Sequence, residues 1–486
     1  MLDEIVLPDQ ITYIHVSDVA QALDAVRKMK TRAFGQVLTF LYSGALLAQT
    51  HSNRDPESLR ERLVEMTRQF CAARPTFDFR GLAHFFEEWF AKLPPDIDPG
   101  ISIAKQFRDL GQEIVRGRVA RAKLAASILP NPACVLTHCN VSGELVAVAQ
   151  YCRASGKEIS FIAAETRPYL QGARLTAWEL AQAGVAVSLI PDCAVAQVMA
   201  SGAVNAVIVG ADRSAQNGDI INKVGTYPIA CMAKEYGVPF HALVQDPRSL
   251  ERAADVPIEE RPADELLTFQ GMPLVAGTDG GLCARYPSFD VTPARLITHL
   301  VSFDDLYTPA TFRHKYQTHA SGDNGAQAKA SGKYLLIYGV PPKSQYAFLL
   351  SALQAEQAKS VLVPEMRPHL WGAQGVAREL LERGAPTTLI SDNIMGTLFA
   401  QGEIRKLCLF YNSLTEGGPK GICGSLLAVQ LARLHGVAIE LFSGEAQSDS
   451  TADEDVSTFM GKKICPGGVA VRPVEAEVVP WALFKG

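Results

Sequence analysis

The stretch AlaCysValLeuThrHisCysAsn (133–140) decides the fold, because an apolar run ends there in polar residues. Two later stretches have the same form: IleSerPheIle ends before Glu165, and AlaValIleVal ends before Asp212. A continuous apolar run of about four to six residues, β-branched in part, is typical of a strand buried on both faces. Helical patterns separate the runs, so the sequence predicts a βαβ series with a parallel sheet.

Polar residues follow each of these predicted strands. In parallel α/β sheets the ligand binds beyond the carboxyl ends of the strands. We therefore expect these polar residues to line one crevice: Cys139, Glu165, Gln171, Asp212, Asn222 and Lys223.

The composition excludes several classes of protein. A chain of 486 residues is too long for one core and should divide into two to four domains. The net charge of −5, without a run of Lys or Arg, excludes a nucleic-acid surface. No apolar stretch is long enough to span a bilayer, and the acidic start lacks the form of a signal peptide.

The ten cysteines show no CxxC pair and no zinc spacing. We therefore expect reduced thiols in the cytoplasm and no metal site. No GxGxxG follows the first strand, which disfavours a dinucleotide-dependent dehydrogenase, and we expect no cofactor.

The chain order predicts an α/β protein with four segments. Residues 1–130 form a small, mostly helical domain, with Asp18 as an N-cap and a second helix near 56–70. Gly35 interrupts the pattern between them, and Arg32 and Arg74 lie at helix boundaries. Residues 131–310 form a Rossmann-like lobe, closed by a helix that begins at ThrPro (292–293). Residues 311–332 are rich in Gly, Ala and Ser and form a flexible linker.

The fourth segment, residues 333–486, repeats the Rossmann-like lobe. Residues 361–402 align with 161–202 without a gap, and 15 of the 42 positions are identical. GluThrArgProTyrLeuGlnGlyAla (165–173) becomes GluMetArgProHisLeuTrpGlyAla (365–373). A period near 200 is too long for a solenoid, so this is a duplicated domain.

The second lobe has lost the polar residues of the crevice. At the offset of 200, Cys139 becomes Gly339, Gln171 becomes Trp371 and Asp212 becomes Asn412. AsnLysValGly (222–225) falls opposite GlyIleCysGly (421–424). Packing residues would be needed in both lobes, so the lost residues serve function and the second lobe is a degenerate copy. Glu165 and Arg167 persist as Glu365 and Arg367, which indicates a structural pair.

Several motifs resemble the methylthioribose-1-phosphate isomerase family. They are ThrHisCysAsn, GluThrArgProTyrLeuGlnGlyAlaArgLeuThr, ValIleValGlyAlaAspArg, AsnGlyAspIleIleAsnLysValGlyThrTyr and IleGluGluArg. This family is related to ribose-1,5-bisphosphate isomerase and to regulatory subunits of translation initiation factor two-B. The resemblance covers residues 1 to about 305, and the second lobe lies outside it.

The resemblance implies a reaction that converts an aldose 1-phosphate into a ketose 1-phosphate. It makes Cys139 and Asp212 the catalytic pair. It assigns substrate and phosphate binding to Gln171, Asn222 and Lys223, and a phosphate clamp to Arg32, Ala33 and Arg74.

The chemistry of the substrate agrees with these roles. The anomeric oxygen is esterified, so opening of the ring needs an acid for the ring oxygen and a group that handles the proton at C2. Asp212 follows an apolar strand, and an apolar pocket would raise its pKa and keep it protonated. Cys139 could act as the base if nearby positive charge favours its thiolate. Proton transfer and hydride transfer both stay open.

Structural alternatives exist for single residues. A cysteine after a buried strand is often a small hydrophobic residue, and Asp212 alone could cap a helix. His138 fits a structural neighbour of the site, and Trp178 fits the core.

The match is weaker on the substrate side. The family clamp reads ArgGlyAlaProAlaIleGly, whereas this chain has ArgAlaPheGlyGlnValLeu (32–38). The motifs therefore support the type of reaction more strongly than the substrate. Methylthioribose 1-phosphate of methionine salvage is the first expectation. Ribose 1,5-bisphosphate and a 5-deoxypentose 1-phosphate are alternatives, as is a non-catalytic regulatory protein. Because members of the family pair through this lobe, we expect the two lobes to form a pseudo-dimer within one chain.

Overall fold

The computed structural model describes residues 1–32, 34–51, 54–74, 77, 79–94, 96–277, 281–317, 332–445, 455–473 and 476–485. The chain forms two compact units. The first contains Met1–Lys123 and Val141–Ala147, and the second contains Leu124–Asn140 and Val148–Gly486.

The first unit is mostly helical, as predicted. Its helices are α1 (Val19–Arg27), α2 (Phe34–Gln49), α3 (Pro56–Ala73), α4 (Phe79–Ala83), α5 (Phe85–Ala91) and the start of α6 (Pro99–Ile128). Asp18 caps α1, because its Oδ1 accepts the backbone N–H of Gln21 at 2.8 Å. Gly35 does not interrupt the chain and lies in the first turn of α2. A Cβ atom there would lie 1.9 Å from Oγ1 of Thr31, so close packing explains this glycine.

Aromatic side chains fill the core of the first unit. Phe40, Phe70, Phe79 and Phe86 are buried, and the ring of Phe40 lies 5.3 Å from the rings of both Phe70 and Phe79. Rings of this size remove much apolar surface from water, which stabilises a small helical unit.

The lobe predicted at 131–310 lies in the second unit, except for residues 141–147, which belong to the first. Its elements are β1 (Ala133–Thr137), α7 (Glu144–Ala154), β2 (Ile159–Ala164), α8 (Ala177–Gln182), β3 (Ala186–Ile190), α9 (Val195–Ala200), β4 (Ala206–Gly210), β5 (Arg213–Ser214), β6 (Ile220–Lys223), α10 (Thr226–Glu235), β7 (Phe240–Leu243), α11 (Asp264–Leu267), β8 (Thr268–Phe269), β9 (Met272–Pro273), β10 (Leu282–Ala284), β11 (Phe289–Thr292), β12 (His299–Val301), β13 (Leu306–Tyr307) and α12 (Pro309–Lys315).

The first large sheet has the strand order β13-β12-β7-β4-β1-β2-β3-β23, where β23 is Ala470–Val471. All neighbours are parallel except β12 and β13. The chain runs outward from β1 to β3 on one side and then continues on the other side with β4. The reversal places a topological switch point between β1 and β4, where ligands of such sheets bind.

The remaining elements follow from residue 334. They are β14 (Tyr334–Tyr338), α13 (Tyr346–Ala355), β15 (Ser360–Pro364), α14 (Arg378–Glu382), β16 (Thr387–Ile390), α15 (Met395–Ala400), β17 (Ile404–Tyr411), β18 (Ser413–Leu414), β19 (Pro419–Gly421), α16 (Ser425–Leu434), β20 (Ala438–Ser443), β21 (Thr458–Phe459), β22 (Lys462–Lys463), β23 and β24 (Glu477–Val478). The second large sheet has the order β10-β16-β15-β14-β17-β20, with all neighbours parallel.

Each large sheet contains a strand from the other lobe. β10 comes from the first lobe and pairs with β16, as in Cys283 with Thr388. β23 comes from the second lobe and pairs with β3, as in Val471 with Leu189. The exchange is reciprocal, so neither sheet is completed by its own lobe.

Two buried ion pairs also join the lobes. Arg167 donates to Glu365 from Nε at 2.8 Å and from Nη2 at 2.9 Å. Arg367 donates to Glu165 from Nε at 3.1 Å and from Nη2 at 2.9 Å. Both guanidinium groups also face the ring of Phe459, at 4.2 Å and 4.9 Å from its centroid. The bidentate hydrogen bonds offset part of the cost of burying four charges.

Three local predictions differ from the structure. The segment predicted as a ThrPro-initiated helix is β11 followed by a short 3₁₀ turn at Ala294–Leu296, because residues 289–292 pair with β6. α12 occupies the beginning of the predicted linker, and residues 318–331 lie outside the described residues. Trp178, predicted in the core, is only half-buried. Within the described ranges no helix is long and apolar enough to cross a membrane.

Candidate active site

The candidate site lies at the switch point of the first sheet. Cys139 follows β1 and Asp212 follows β4, and these two strands are neighbours. Thr166 follows β2, the neighbour of β1 on the other side. Carboxyl ends of neighbouring parallel strands open at the same edge, so the fold places these three segments side by side.

Two threonines, Thr166 and Thr176, form hydrogen bonds to the backbone of Cys139, and we call this pair the threonine clamp. Cys139 has a φ of 63°, a left-handed conformation that is uncommon outside glycine. Its N–H donates to Oγ1 of Thr166 at 2.9 Å, and its carbonyl oxygen accepts the hydroxyl of Thr176 at 2.6 Å. These two bonds hold the strained residue in one orientation, which is typical of functional sites. The thiol-bearing residue is half-buried.

His138 connects the Cys139 segment to the loop after β6. Its Nε2 lies 2.8 Å from the carbonyl oxygen of Val224, which can only accept, so Nε2 carries the proton. Its Nδ1 lies 3.3 Å from the hydroxyl of Thr166. Burial lowers the pKa of His138 to about 4, so the imidazole is neutral at pH 7. These contacts agree with the expectation of a structural neighbour.

Asn222 and Lys223 lie within β6 and do not follow a strand end, contrary to the predicted pattern. Both are buried, at 4% and 7% exposure. Nδ2 of Asn222 donates to Oγ1 of Thr226 at 2.9 Å. Nζ of Lys223 lies 4.7 Å from the ring centroid of Phe289 and 5.7 Å from that of Tyr169. The site thus contains a cation within a largely aromatic environment, where its field is weakly screened.

Asp290, on the neighbouring strand β11, is a carboxyl group that interacts electrostatically with Lys223. It pairs in register with Asn222, and its Oδ2 accepts the N–H groups of Gly225 and Tyr227 at 2.7 and 3.0 Å. Burial raises the pKa of Asp290 to about 7, against the opposing effect of these N–H groups and of Lys223.

Gln171 precedes a π-helical turn at Gly172–Thr176. Its side chain is buried, and no donor in the described part of the chain reaches its Oε1. π-Helical turns occur often at functional sites, and a buried acceptor without a donor is costly. This oxygen is therefore well suited to accept a hydroxyl of a ligand.

Asp212 differs from the predicted apolar setting, because its side chain is exposed. Its backbone is fixed by two bonds: the N–H donates to Ile221 at 2.9 Å, and the carbonyl accepts Nε2 of Gln245 at 2.8 Å. The preceding strand is fully buried, but the burial of β4 does not extend to the carboxyl group.

Glu165 does not face the crevice, contrary to the prediction from its place after β2. Its carboxylate pairs with Arg367 across the interface between the lobes. Arg167 pairs with Glu365 in the same way, so each residue binds the other lobe's counterpart instead of its own neighbour.

The predicted phosphate clamp lies in the first unit. Arg32 lies two residues before the start of α2, and the intervening Ala33 falls outside the described residues. Arg74 is the C-cap residue of α3. Their roles stay a prediction.

Sequence reasoning missed Thr166, Thr176 and Asp290. The signal for the two threonines was present, because Met366 and Val376 stand 200 positions further along the chain. Neither of these side chains can form the same hydrogen bonds, and Gly339 stands at the same offset from Cys139. Asp290 had no comparable signal, since its role depends on the register between β6 and β11.

Across the described ranges, no group of three or more His, Cys, Asp or Glu side chains could hold a metal ion. No disulfide links any two cysteines there.

The profile of the Initiation factor 2 subunit family matches residues 35–303. The chain belongs to this family. The motif-based resemblance is therefore confirmed. This chain is 36% identical over 327 residues to a methylthioribose-1-phosphate isomerase from Desulforudis audaxviator. The matched residues cover 64% of this chain and 91% of that protein. It is 35% identical over 326 residues to a 5-deoxyribose 1-phosphate isomerase from Moorella thermoacetica, with the same coverage of 64% and 91%.

Two solved structures of the family share the fold. One is 5-methylthioribose 1-phosphate isomerase from Pyrococcus horikoshii OT3, with a TM-score of 0.57, 30% identity and coverage of 65% of this chain and 91% of that one. The other is translation initiation factor eIF-2B, subunit delta, from A. fulgidus, with a TM-score of 0.55, 31% identity and coverage of 64% and 93%. The predicted α/β fold with a helical N-terminal region is confirmed at this level.

Proposed function

We propose that this protein is an aldose-ketose isomerase of sugar 1-phosphates, acting on S-methyl-5-thioribose 1-phosphate in methionine salvage. The names of the curated relatives support an isomerase of such substrates. The observation that carries the proposal is the clamped Cys139 at the switch point, joined through His138 to the segment that bears the buried Lys223.

In this proposal Cys139 and Asp212 are the catalytic pair. One group protonates the ring oxygen as the ring opens, and the other handles the hydrogen that leaves C2. Asp212 is exposed, so it needs the bound substrate to cover it before its carboxyl can hold a proton at pH 7. Correctly placed acids and bases each contribute about 10²–10⁴ in rate.

Binding of the phosphate is assigned to Lys223 and Asn222, with Arg32, Ala33 and Arg74 completing the clamp. Lys223 supports this role because it is buried and directly precedes Val224, whose carbonyl oxygen accepts Nε2 of His138 beside Cys139. The part of Arg32, Ala33 and Arg74 rests on the family motif. Gln171 is assigned to a sugar hydroxyl, because its buried Oε1 accepts nothing from the described residues.

The second lobe is proposed to be a degenerate copy of the first that replaces a partner subunit. The central strands of both sheets have the same order, and both exchanged strands and both ion pairs are reciprocal. Gly339, Trp371 and Asn412 stand where the first lobe has Cys139, Gln171 and Asp212. The second lobe would thus complete a pseudo-dimer without a site of its own. A cytoplasmic location is part of the proposal and rests on the cysteine pattern, which shows no CxxC pair and no zinc spacing.

A substrate panel tests the function. Methylthioribose 1-phosphate, 5-deoxyribose 1-phosphate and ribose 1,5-bisphosphate are each incubated with the protein, and ketose formation is measured. We expect turnover of the first, and Cys139→Ala and Asp212→Asn should each lower kcat at least about a hundredfold. Asn412→Ala is the matched control in the second lobe and should leave kcat unchanged. Absence of turnover on all three sugars would favour a regulatory protein of the same family.

A further inference from the structure

The second lobe inserts one polar side chain between two segments of the candidate site. Asn393 is 2% exposed. Its Nδ2 lies 2.9 Å from the carbonyl oxygen of Arg167, 2.9 Å from Oδ2 of Asp192 and 3.4 Å from the carbonyl oxygen of Val224. Its Oδ1 accepts the hydroxyl of Ser391 at 2.7 Å, which fixes the amide orientation.

Asp192 extends these contacts to the segment that holds Cys139. Its Oδ1 accepts the N–H of Thr166 at 2.8 Å, and its Oδ2 accepts the N–H of Arg167 at 2.7 Å. Thr166 in turn accepts the N–H of Cys139. Asn393 is thus connected to Thr166, which holds the backbone of Cys139, through one intervening residue, Asp192.

Val224 extends the contacts to the other segment. It directly follows Lys223, and its carbonyl oxygen also accepts Nε2 of His138. The next residue, Gly225, has a φ of 103°, and a Cβ atom there would lie 2.9 Å from Cβ of Asn393. The asparagine therefore packs directly against the backbone that follows the buried lysine.

The mirrored position holds a different residue. Cys193 of the first lobe stands at the offset of 200 and faces the second lobe. A Cβ atom on Gly424 would lie 2.8 Å from Cβ of Cys193, so the packing matches that of Asn393 on Gly225. The Cys193 thiol lies 3.6 Å from the carbonyl oxygen of Arg367 and 3.6 Å from Sγ of Cys423. A thiol is a weak donor, whereas an amide supplies two strong ones.

The difference between Asn393 and Cys193 matches the difference between the two lobes in their candidate site residues. The hydrogen-bonding residue faces the lobe that has Cys139, Asp212 and Lys223. The cysteine faces the lobe in which those positions hold Gly339, Asn412 and Ile422. Ordinary packing at the interface would not distinguish the two sides.

We propose that Asn393 is a positioning residue, supplied by the second lobe to hold the Thr166 and Val224 segments of the first lobe's active site together. The catalytic role of the two segments rests on the proposed function, whereas the contacts of Asn393 and their effect on the two segments do not.

Asn393→Cys tests the proposal, because it installs the residue that the mirrored position already accommodates. Cys193→Ser is the matched control on the opposite side. Hydrogen exchange, read by mass spectrometry, compares peptides covering residues 138–140, 165–171 and 222–226 in the full-length proteins. Steady-state kinetics on methylthioribose 1-phosphate gives kcat and KM, and melting temperatures are recorded.

We expect Asn393→Cys to exchange about tenfold faster in these segments and to lose about tenfold in kcat, consistent with removal of buried hydrogen bonds. KM should change less than kcat. Asn393→Ser keeps one donor and should regain part of kcat, and it replaces the cysteine variant if that variant does not fold. Unchanged exchange in Asn393→Cys, or equal losses in Cys193→Ser, would overturn the proposal. If the wild type turns over none of the sugars, the proposed function fails and the exchange comparison still decides the role of Asn393.

Discussion

Arg167 binds Glu365, a residue 198 positions further along the chain, through two hydrogen bonds of 2.8 and 2.9 Å. The guanidinium group is 1% exposed and the carboxylate is fully buried. The mirrored pair of Arg367 and Glu165 has the same geometry. The lobes are therefore joined by charges that have no access to water. Loss of one charge leaves its partner buried without a counter-charge.

Arg367→Ala tests how much these buried ion pairs contribute to the free energy of unfolding. The substitution leaves Glu165 buried without its cation, so the free energy of unfolding should fall by about 3–5 kcal/mol. Urea denaturation measures the change. Arg68→Ala is the control, because Arg68 and Glu65 form an exposed pair of 69% and 48% exposure. That pair should contribute little to stability, because water and salt screen exposed charges. Similar losses in the two variants would contradict a special role for the buried pairs.

The threonine clamp predicts a loss of turnover without unfolding. Thr166→Val and Thr176→Val keep the shape of each side chain and remove one bond to the backbone of Cys139. Each should lower kcat about tenfold, the effect expected for a misplaced catalytic group. Steady-state kinetics measures it. Thr388→Val removes a buried hydroxyl bonded to Ser360 in the second lobe and serves as the control. Normal kcat in both clamp variants would show that the strained backbone needs no clamp.

Asp290 predicts a pH dependence of stability. Burial raises its pKa from the ordinary 3.8 to about 7. Between about pH 4 and 7 the unfolded chain releases a proton that the folded chain keeps, so stability falls as the pH rises through this window. Asp290→Asn removes the ionisable group, and its amide oxygen can still accept the N–H groups of Gly225 and Tyr227. From pH 5 to pH 8 the melting temperature of the variant should therefore rise relative to that of the wild type.

Glu477 provides a parallel test in the second lobe. It accepts the N–H of Leu426 at 2.8 Å, and burial raises its pKa to about 7. Glu477→Gln should therefore show the same trend with pH. A difference in melting temperature that does not vary with pH would rule out titration of these carboxyl groups in the folded state.

Truncation tests the proposed pseudo-dimer. A chain ending at residue 317 keeps α12 but loses β23 from the edge of β3, together with the partners of Glu165 and Arg167. The exposed edge and interface should cause dimerisation or aggregation, which light scattering detects. A soluble monomer with full activity would exclude the scaffold role of the second lobe.

The sequence was sufficient to predict the elements that depend on local pattern. Buried apolar runs predicted β1, β2 and β4, and the polar residues behind them predicted the edge at which Cys139 and Asp212 lie. The orientation of Glu165 could not be predicted, because its partner Arg367 belongs to another lobe and no local rule connects them. The exposure of Asp212 depends on what covers the sheet edge, which the apolar strand before it does not determine.

The exchange of β10 and β23 has a consequence for biosynthesis. During translation β10 leaves the ribosome well before β16. The strand that the first lobe contributes to the second sheet is therefore present before that sheet forms. The first sheet must wait for β23, at residues 470–471, which is translated long after its neighbour β3. The lobe that bears Cys139 is thus encoded first and completed last. A chain that terminates before residue 470 would lack this closing strand, so that sheet can mature only after most of the second lobe has been translated.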